Sequence, residues 1–217
     1  MSKTLAIIGA GHLGQQIAHY AISNKKYDEV VFFDDFTNEK EVSGHKVIGT
    51  IKEVEKAYQN RKFDELLIGV GYKHISVRKE LFERFISKIK FGTLIHSTSW
   101  VDKAAIIKEG VVIYPNCCVE AGSLVDNNCI INISCSIAHD SKIGKHCFLS
   151  PRVAIAGFAN VEEQCIIGIN ATIIDNINVI SNTQIGAGAV VVKNVVIKGL
   201  YVGIPAKFIR WKSPSTN

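Results

Sequence analysis

Branched aliphatic residues recur at every sixth position from Val101 to Ile197, in seventeen consecutive positions without a change of phase. A period of six fits neither an α-helix nor a simple β-strand, so it belongs to a larger repeating unit. A second column, four residues after each aliphatic position, is mostly small. Gly or Asn, which tolerate the left-handed backbone of tight turns, occupies nine of the seventeen positions three residues after the aliphatic. The pattern predicts a hexapeptide β-helix in which three six-residue units form each coil.

The cysteines fall into the same repeat. Five of the six lie in the small column, where their side chains point inward: Cys117, Cys129, Cys135, Cys147 and Cys165. Cys118 is off that column, and the sequence contains no Cys-x-x-Cys pair. We therefore expect reduced thiols that fill space in the core, and no bound metal.

Composition restricts the class of protein. The chain has 217 residues, 47% hydrophobic and 21% charged, and no apolar segment is long enough to cross a membrane. The short apolar run at the N-terminus leads directly into a Gly-rich turn, unlike a signal peptide, so we expect a cytoplasmic protein. The net charge of +5 is spread without basic runs, which disfavours nucleic-acid binding and suits small anionic ligands.

The N-terminal segment predicts a nucleotide-binding turn. A buried strand over residues 3–9 is followed by a Gly-rich turn, an amphipathic helix and a second strand over 29–33 that ends in two acids. This order is the dinucleotide fingerprint, in which backbone N–H groups at a helix N-terminus face phosphate and a carboxylate accepts from ribose. A tight turn without a ligand remains an alternative. The candidate substrate-binding residues are Gly9, Gly11, His12, Gly14, Asp34 and Asp35.

A third strand, over residues 65–70, ends in a second turn with the candidates Gly71, Tyr72 and Lys73. Ligands of open α/β sheets bind at the carboxyl ends of the strands, so we expect both turns to meet in one crevice. A Gly-containing loop and a helix over 51–60 precede this strand, and a short strand over 93–95 follows a further helix. This is half of a full dinucleotide site, which favours a single nucleotide over NAD. The expected divisions are 1–92, 93–204 and a tail over 205–217.

The combination of Gly-x-Gly-His-x-Gly at residues 9–14, the hexapeptide repeat and Gly-Ile-Pro-Ala-Lys at 203–207 resembles the PglD/NeuD group of sugar acetyltransferases. The resemblance implies an α/β Rossmann-like half-domain followed by a left-handed parallel β-helix. It also implies a homotrimer that binds acetyl-CoA between subunits, without a metal. The implied reaction is N-acetylation of a UDP- or dTDP-linked 4-amino-4,6-dideoxy sugar. O-acetylation of a sugar or of sialic acid is the first alternative, and a non-catalytic nucleotide-binding scaffold is the second.

The resemblance implies that His139 is the general base and that Asp140 orients it. The repeat independently places His139 at an outward corner, where a neutral imidazole could accept a proton from the attacking amine. Asp140 also occupies the turn column, so a purely turn-forming role remains open. Gly157 lies one coil beyond His139, where its N–H could stabilise an oxyanion.

The resemblance further implies cofactor contacts along the later coils. His146 could reach the cofactor or the sugar, although a solvated turn histidine is the alternative. Lys207, with Arg210, could neutralise the phosphates of the cofactor. Repeat geometry alone would also explain the glycines. The cofactor-binding candidates are His146, Gly157, Gly168, Gly186, Ala187, Gly203, Pro205, Ala206 and Lys207.

Overall fold

The computed structural model describes residues 2–211, and the chain divides into two compact units, Met1–Leu94 and Ile95–Asn217. The division lies two residues beyond the expected one. The last six residues, 212–217, which belong to the expected tail, lie outside the described residues.

Unit 1 is a five-stranded sheet flanked by helices. Its strands in chain order are Thr4–Ile8 (β1), Glu29–Phe33 (β2), Glu41–Val42 (β3), His45–Gly49 (β4) and Glu65–Ile68 (β5). In space the order is β3-β4-β2-β1-β5, with every pair parallel except β3 and β4. The central strand, β1, is buried along most of its length, as expected for a parallel sheet covered on both faces.

The helices of unit 1 bury the two faces of this sheet. They span His12–Ser23 (α1), Val54–Gln59 (α2) and Ile75–Phe85 (α3), with 3₁₀ turns at Ile51–Glu53 and Tyr72–His74. The apolar residues Ile17, Ala18 and Ala21 recur at helical spacing and give α1 one buried stripe. The core cluster on the other face contains Val54 of α2 and Phe85 of α3.

One sequence expectation for unit 1 is wrong. The segment 41–49, expected to be a loop, forms the β3–β4 hairpin, because Ser43 and Gly44 take φ angles of 51° and 80° at its tip. Such a two-residue turn with positive φ matches the twist of the flanking strands. The short strand expected over 93–95 is present as Leu94–Ile95 (β6), and it pairs with strands of the second unit.

Unit 2 is a parallel β-helix with three sheets, built from two-residue strands at every sixth position. The first sheet contains Trp100–Val101 (β7), Cys118–Val119 (β10), Ser136–Ile137 (β13), Ala154–Ile155 (β16), Thr172–Ile173 (β19) and Val190–Val191 (β22). The second contains Ile106–Ile107 (β8), Leu124–Val125 (β11), Lys142–Ile143 (β14), Asn160–Val161 (β17) and Asn178–Val179 (β20). The third contains β6, Val112–Ile113 (β9), Ile130–Ile131 (β12), Phe148–Leu149 (β15), Ile166–Ile167 (β18), Gln184–Ile185 (β21), Leu200–Val202 (β23) and Lys207–Arg210 (β24).

The coils stack with constant register. Val119 pairs with Ile137 and Ile137 with Ile155, so that each residue lies beside the one 18 positions later. Every sixth residue from Gly110 to Gly188 has a positive φ, which confirms the predicted turn column. The aliphatic column forms one continuous buried core.

The repeat changes at its C-terminal end, where the last coil is shorter. Val195 pairs with Val179, and Tyr201 with Ile185, which are separations of 16 residues. Ile197 was predicted to be the last inward aliphatic residue, and this is wrong because it is 45% exposed. The expected tail also begins too early, since β24 pairs antiparallel with β23.

The small inward column carries a ladder of hydrogen bonds. Each cysteine or serine of this column donates to the carbonyl oxygen 15 residues later, as Cys117 does to Asn132 and Ser141 to Ala156. The other members are Ser123, Cys129, Cys135, Cys147 and Cys165. All six cysteines are free thiols. The inward cysteines therefore both fill space and satisfy corner carbonyl groups, which a hydrocarbon side chain could not do.

No helix within residues 2–211 is long and apolar enough to span a membrane.

Candidate active site

The carboxyl ends of β1, β2 and β5 border a cavity of about 500 Å³ in unit 1. Gly9, Asp34, Asp35 and Gly71 line it, as expected from the position of the two turns. The buried Arg78 side chain donates to the carbonyl oxygen of Ile68 at 2.6 Å, which fixes the end of β5 below this cavity. The predicted crevice therefore exists as a preformed cavity.

The two acids at the end of β2 already accept hydrogen bonds from the backbone. Asp34 Oδ2 accepts from the N–H of Ala10 at 2.7 Å, and its Oδ1 accepts from Phe36 and Thr37. Asp35 Oδ1 accepts from the N–H of Ile51 at 2.8 Å. Asp34 thus ties the Gly-rich turn to the end of β2, a structural task that the sequence did not predict.

The glycines of this region fall into two groups. A Cβ on Gly14 would lie 1.9 Å from the Gly9 carbonyl oxygen, and one on Gly69 would lie 2.6 Å from the Gly14 Cα, so these glycines are required by packing. A Cβ on Gly11 or Gly71 would meet no atom within 4 Å. Both lie at helix N-termini, where the N–H groups suit an anion, and both leave the backbone accessible to a ligand.

The lining of the cavity differs from the predicted set in its side chains. His12 is exposed at the first turn of α1, and Tyr72 and Lys73 are exposed on the 3₁₀ turn after β5, but none of the three lines the cavity. The predicted Gly11 and Gly14 do not line it either. Instead, His74 and Phe36 line it, and the Phe36 ring is 94% exposed. An aromatic residue directly after two strand-terminal acids is the signal that could have identified Phe36.

His139 and Asp140 form a pair at a corner of the β-helix. The distance from His139 Nδ1 to Asp140 Oδ2 is 3.0 Å, and the His139 side chain is 53% exposed. Asp140 also has the φ of 58° that the turn requires. Asp is one of the few residues besides Gly that adopt this conformation readily. One residue therefore closes the turn and holds the imidazole, and the two interpretations of Asp140 are compatible.

Two glycines leave room for this pair. A Cβ on Gly157 would lie 2.8 Å from His139 Nε2, and a Cβ on Gly122 would lie 2.4 Å from Asp140 Oδ1. Among the described residues, no acceptor is found for the Gly157 N–H. Gly157 lies beside the imidazole, as the coil length predicted, and its N–H is available to a ligand.

The Glu120 carboxylate also binds this corner, and the sequence did not identify it. Its Oε2 accepts the backbone N–H of His139 at 2.9 Å. Glu120 lies 19 residues before His139, just over one coil, so its side chain bridges adjacent coils. Glu120 directly follows the aliphatic Val119 of β10, in the sheet that also contains β13 just before His139. Comparing the residues at this position along the first sheet would have identified the acid.

A groove of about 320 Å³ runs past the pair on the outer face of the first sheet. Its outward residues are small, in contrast to Leu124 and Lys142 at equivalent positions on the second sheet. Reading every eighteenth residue would have shown this stripe. The small residues are Cys118, Ser136, Ala154 and Thr172, with Ala138 and Ala156 beside them.

The structure removes one cofactor candidate. His146 is 2% exposed, and its Nδ1 lies 2.9 Å from the amide nitrogen of Asn128. The expectation of an outward histidine at this corner is wrong, because the side chain is buried beside Asn128.

Other cofactor candidates have structural reasons for their residue type. A Cβ on Gly168 would lie 2.6 Å from the backbone nitrogen of Ala187, and one on Gly186 would lie 2.6 Å from the Val202 side chain. Repeat geometry therefore accounts for both glycines.

The end of the β-helix remains compatible with a phosphate-bearing ligand. Lys207 and Arg210 are exposed on β24. The turn before β24 contains Gly203, with a φ of 98°, and the cis bond before Pro205, and the Ala206 N–H donates to the carbonyl oxygen of Val190. Residues 2–211 contain no group of three His, Cys, Asp or Glu side chains that could hold a metal ion.

Comparisons with known proteins place this chain in a family. The PglD N-terminal domain family matches residues 4–85. The acetyltransferase domain of PglB from Neisseria gonorrhoeae superposes with a TM-score of 0.89 at 31% identity, covering 95% of this chain and 100% of that domain. The chain belongs to the PglD/NeuD-like sugar acetyltransferases. Its fold, a Rossmann-like half-domain and a left-handed parallel β-helix, is that of this family.

Two further structures are similar to this PglD/NeuD-like acetyltransferase. The same PglB domain in complex with acetyl coenzyme A gives a TM-score of 0.88 at 30% identity, covering 96% of this chain and all of that one. PerB from Caulobacter crescentus, in complex with CoA and GDP-perosamine, gives 0.85 at 24% identity, covering 94% and 96%. At this identity, the likeness to PerB shows the fold alone. A sequence comparison with curated proteins gives no significant match.

Proposed function

We propose that this acetyltransferase transfers the acetyl group of acetyl-CoA to the amine of a nucleotide-linked 4-amino-4,6-dideoxy sugar. The observation that carries the proposal is the His139–Asp140 pair beside the Gly157 N–H, for which residues 2–211 provide no acceptor. The pair offers a base and its orienting carboxylate, and the glycine offers a donor for negative charge. A base that takes the proton of the amine and a donor to the developing oxyanion both accelerate direct transfer to an amine.

His139 acts as the general base. Asp140 holds the proton on Nδ1, which leaves the lone pair of Nε2 to accept a proton from the sugar amine. As the amine attacks the thioester carbonyl, a carbon–nitrogen bond forms and the amine loses a proton to Nε2. Hydrogen-bonded placement of such a base typically contributes about 10²- to 10⁴-fold to the rate.

The Gly157 N–H donates to the carbonyl oxygen as that oxygen becomes negative. The tetrahedral intermediate then collapses, the carbon–sulfur bond breaks, and the CoA thiolate leaves with the proton from His139. None of the five inward cysteines serves as an acyl carrier, because their thiols donate to carbonyl groups within the β-helix. Burial and the nearby Glu120 carboxylate raise the pKa of the outward Cys118 thiol, which disfavours the thiolate that an acyl carrier needs. The amide product and free CoA account for all atoms.

The cavity of unit 1 binds the nucleotide part of the acceptor. The open backbone at Gly71, in the lining of the cavity, and at Gly11, the first residue before α1, admits the diphosphate, and the N-terminus of α1 favours its negative charge. Because backbone N–H groups already occupy both oxygens of Asp34, we assign it to the turn and assign ribose contact to Asp35. UDP, dTDP and GDP sugars, the last found with PerB, remain the acceptors to compare.

The groove beside His139 holds the pantetheine arm, and Lys207 and Arg210 neutralise the phosphates. We propose a homotrimer in which a neighbouring copy closes this groove. The stripe of small residues supports this arrangement, because it lets a ligand and a second backbone approach the sheet closely. Sedimentation equilibrium of the full chain tests the trimer, and a monomer at micromolar concentration contradicts it.

The deciding experiment is acetylation of a panel of UDP-, dTDP- and GDP-linked 4-amino sugars, measured as release of free CoA thiol. We expect one acceptor class to react and the His139→Ala variant to lose at least about 10²-fold in kcat. His19→Ala is the control, because His19 is exposed on α1 and lines neither the cavity nor the groove. Near-normal activity of His139→Ala contradicts the assignment of the base, and turnover of hydroxyl acceptors alone favours the O-acetyltransferase.

A further inference from the structure

Phe158 is poorly explained by the repeat. It occupies the turn column with a φ of 57°, where a bulky side chain is an outlier and Asn or Gly is common. Its ring is 56% exposed, so burial of the ring does not compensate for the strained backbone. Neither the fold nor the core requires an aromatic residue here.

The ring does contact the proposed base. The centroids of the Phe158 and His139 rings are 5.1 Å apart, with their planes at 88°. This edge-to-face arrangement is a favoured geometry for aromatic pairs. The Phe158 N–H also donates to the His139 carbonyl oxygen at 3.2 Å, so the coil register fixes the two residues side by side.

His139 needs such a neighbour. A single hydrogen bond to Asp140 leaves the imidazole free to swing about that contact, and its side chain is about half exposed. Gly157 lies beside the imidazole but has no side chain that could restrain the ring. A base that is displaced by even a fraction of its hydrogen-bond length loses much of its effect on the rate.

We propose that Phe158 is a positioning residue that holds the His139 imidazole in the orientation for proton abstraction. This inference rests on the proposed role of His139 as the base. The strained turn is retained because the aromatic contact serves the reaction and not the fold.

The test is Phe158→Asn, which replaces the ring by a residue suited to the left-handed turn. We expect Tm to be equal or a few degrees higher, while kcat falls about 2- to 10-fold and KM for both substrates changes little. Phe158→Tyr keeps the ring and should retain kcat. Phe158→Gly, which also relaxes the backbone, should repeat the loss of kcat.

Arg152→Asn is the matched control. Arg152 lies one hexad earlier in the same column, is exposed and has a φ of 62°. Its replacement relieves the same backbone strain without touching His139, so Tm should respond similarly and kcat should not.

Unchanged kcat in Phe158→Asn and Phe158→Gly overturns the inference. A rise in KM for the sugar with kcat retained also overturns it, because the ring would then be a wall of the acceptor site. These failures are distinct from failure of the proposed function, which near-normal turnover of His139→Ala would show.

Discussion

Asp140 performs two tasks with one short side chain. Its backbone closes a left-handed turn, and its carboxylate reaches His139 Nδ1 at 3.0 Å. The missing Cβ of Gly122 gives that carboxylate its space, since any side chain there would overlap Asp140 Oδ1. The two tasks can be separated by substitution, because Asn also adopts the left-handed conformation.

Asp140→Asn should therefore keep the fold and lose activity. We expect Tm within a few degrees of the parent and a decrease in kcat of at least about tenfold, because a neutral amide stabilises the imidazolium less well. Thermal denaturation and steady-state acetylation measure the two effects. Ser134→Asn, one hexad earlier in the same column, is the control. Full activity of Asp140→Asn would reduce Asp140 to a turn residue.

Gly157→Ala should act on the imidazole alone. The new Cβ would fall 2.8 Å from Nε2 and must displace the ring, so we expect a loss of roughly 10- to 100-fold in kcat with Tm nearly unchanged. Ala121 lies at the same corner two coils earlier, which shows that the backbone at this position accepts alanine. Gly144→Ala gives the contrast. Its Cβ would lie 2.7 Å from the Glu162 backbone, and Tm should fall instead. A lower Tm with normal kcat in Gly157→Ala would contradict this account.

Phe36→Ala should weaken binding of the nucleotide sugar. An exposed ring at the rim of the cavity offers a stacking surface for a base, and such stacking contributes about 1–3 kcal/mol. We expect the Kd of the nucleoside diphosphate to rise about 5- to 100-fold, as measured by calorimetry, without a change in kcat at saturation. Unchanged affinity would place the base elsewhere.

At the scale of elements, six consecutive turns of the β-helix lack Gly and Asn at the left-handed position. The residues at these six positions, which surround the His139 corner, are Ser134, Asp140, His146, Arg152, Phe158 and Gln164. The turns before and after this run have Gly or Asn at the same position. Each such residue is held in a sparsely populated conformation at a cost of order 1 kcal/mol. The coils that carry the proposed active site are thus the least relaxed part of the repeat.

The amino ends of β1 and β5 carry a second feature of this scale, a buried acid. Glu65 accepts from Tyr27 and pairs with Lys3 at 3.0 Å and Lys90 at 2.7 Å. Burial raises the pKa of Glu65, but hydrogen bonds from Lys90, Tyr27 and Lys3 outweigh it and lower the pKa to about 2. Burial, followed by the bond to Glu65, raises the pKa of Tyr27.

This network should make unit 1 sensitive to acid. Because the folded pKa of Glu65 lies below its unfolded value, its contribution is present above about pH 4.5 and is lost as the pH falls toward 2. We expect a loss of about 2 kcal/mol over this range, less than the full shift because solvent screens the lysines. The helices of the described chain all lie in unit 1, so the urea midpoint from helical circular dichroism reports it.

Glu65→Gln should lack this pH-dependent part of the stability. Glu55→Gln, which removes an exposed pair with Lys88, is the control and should retain it. Equal slopes for Glu65→Gln and the parent would contradict the assignment.

At the scale of the whole molecule, the repeat made most of the β-helix predictable, because inward volume and turn conformation repeat with every hexad. The shortened last coil escaped prediction because Ile197 and Val195 are both aliphatic, and only pairing distinguishes them. The hairpin at residues 41–49 escaped because its turn is Ser-Gly, a weaker signal than Asn-Gly.

The site was predictable where the coil length could serve as a measure, as for Gly157 beside His139. It was not predictable where a side chain reaches between elements. Glu120 contacts His139 from a neighbouring coil, and Asp34 closes a turn that lies 24 residues away in sequence. His146 shows the converse, because the turn column sets its backbone but not whether the ring meets solvent.

The final strand, β24, runs opposite to every coil before it. A parallel β-helix that ended at β23 would leave the backbone N–H and C=O groups of its last coil unpaired. The first coil of another molecule could then pair with them and continue the stack. The reversed strand, with Lys207 and Arg210 exposed along it, removes that template on its sheet and adds like charges that repel another copy. The same six-residue repeat that could in principle propagate without limit is thereby kept to a molecule of fixed length.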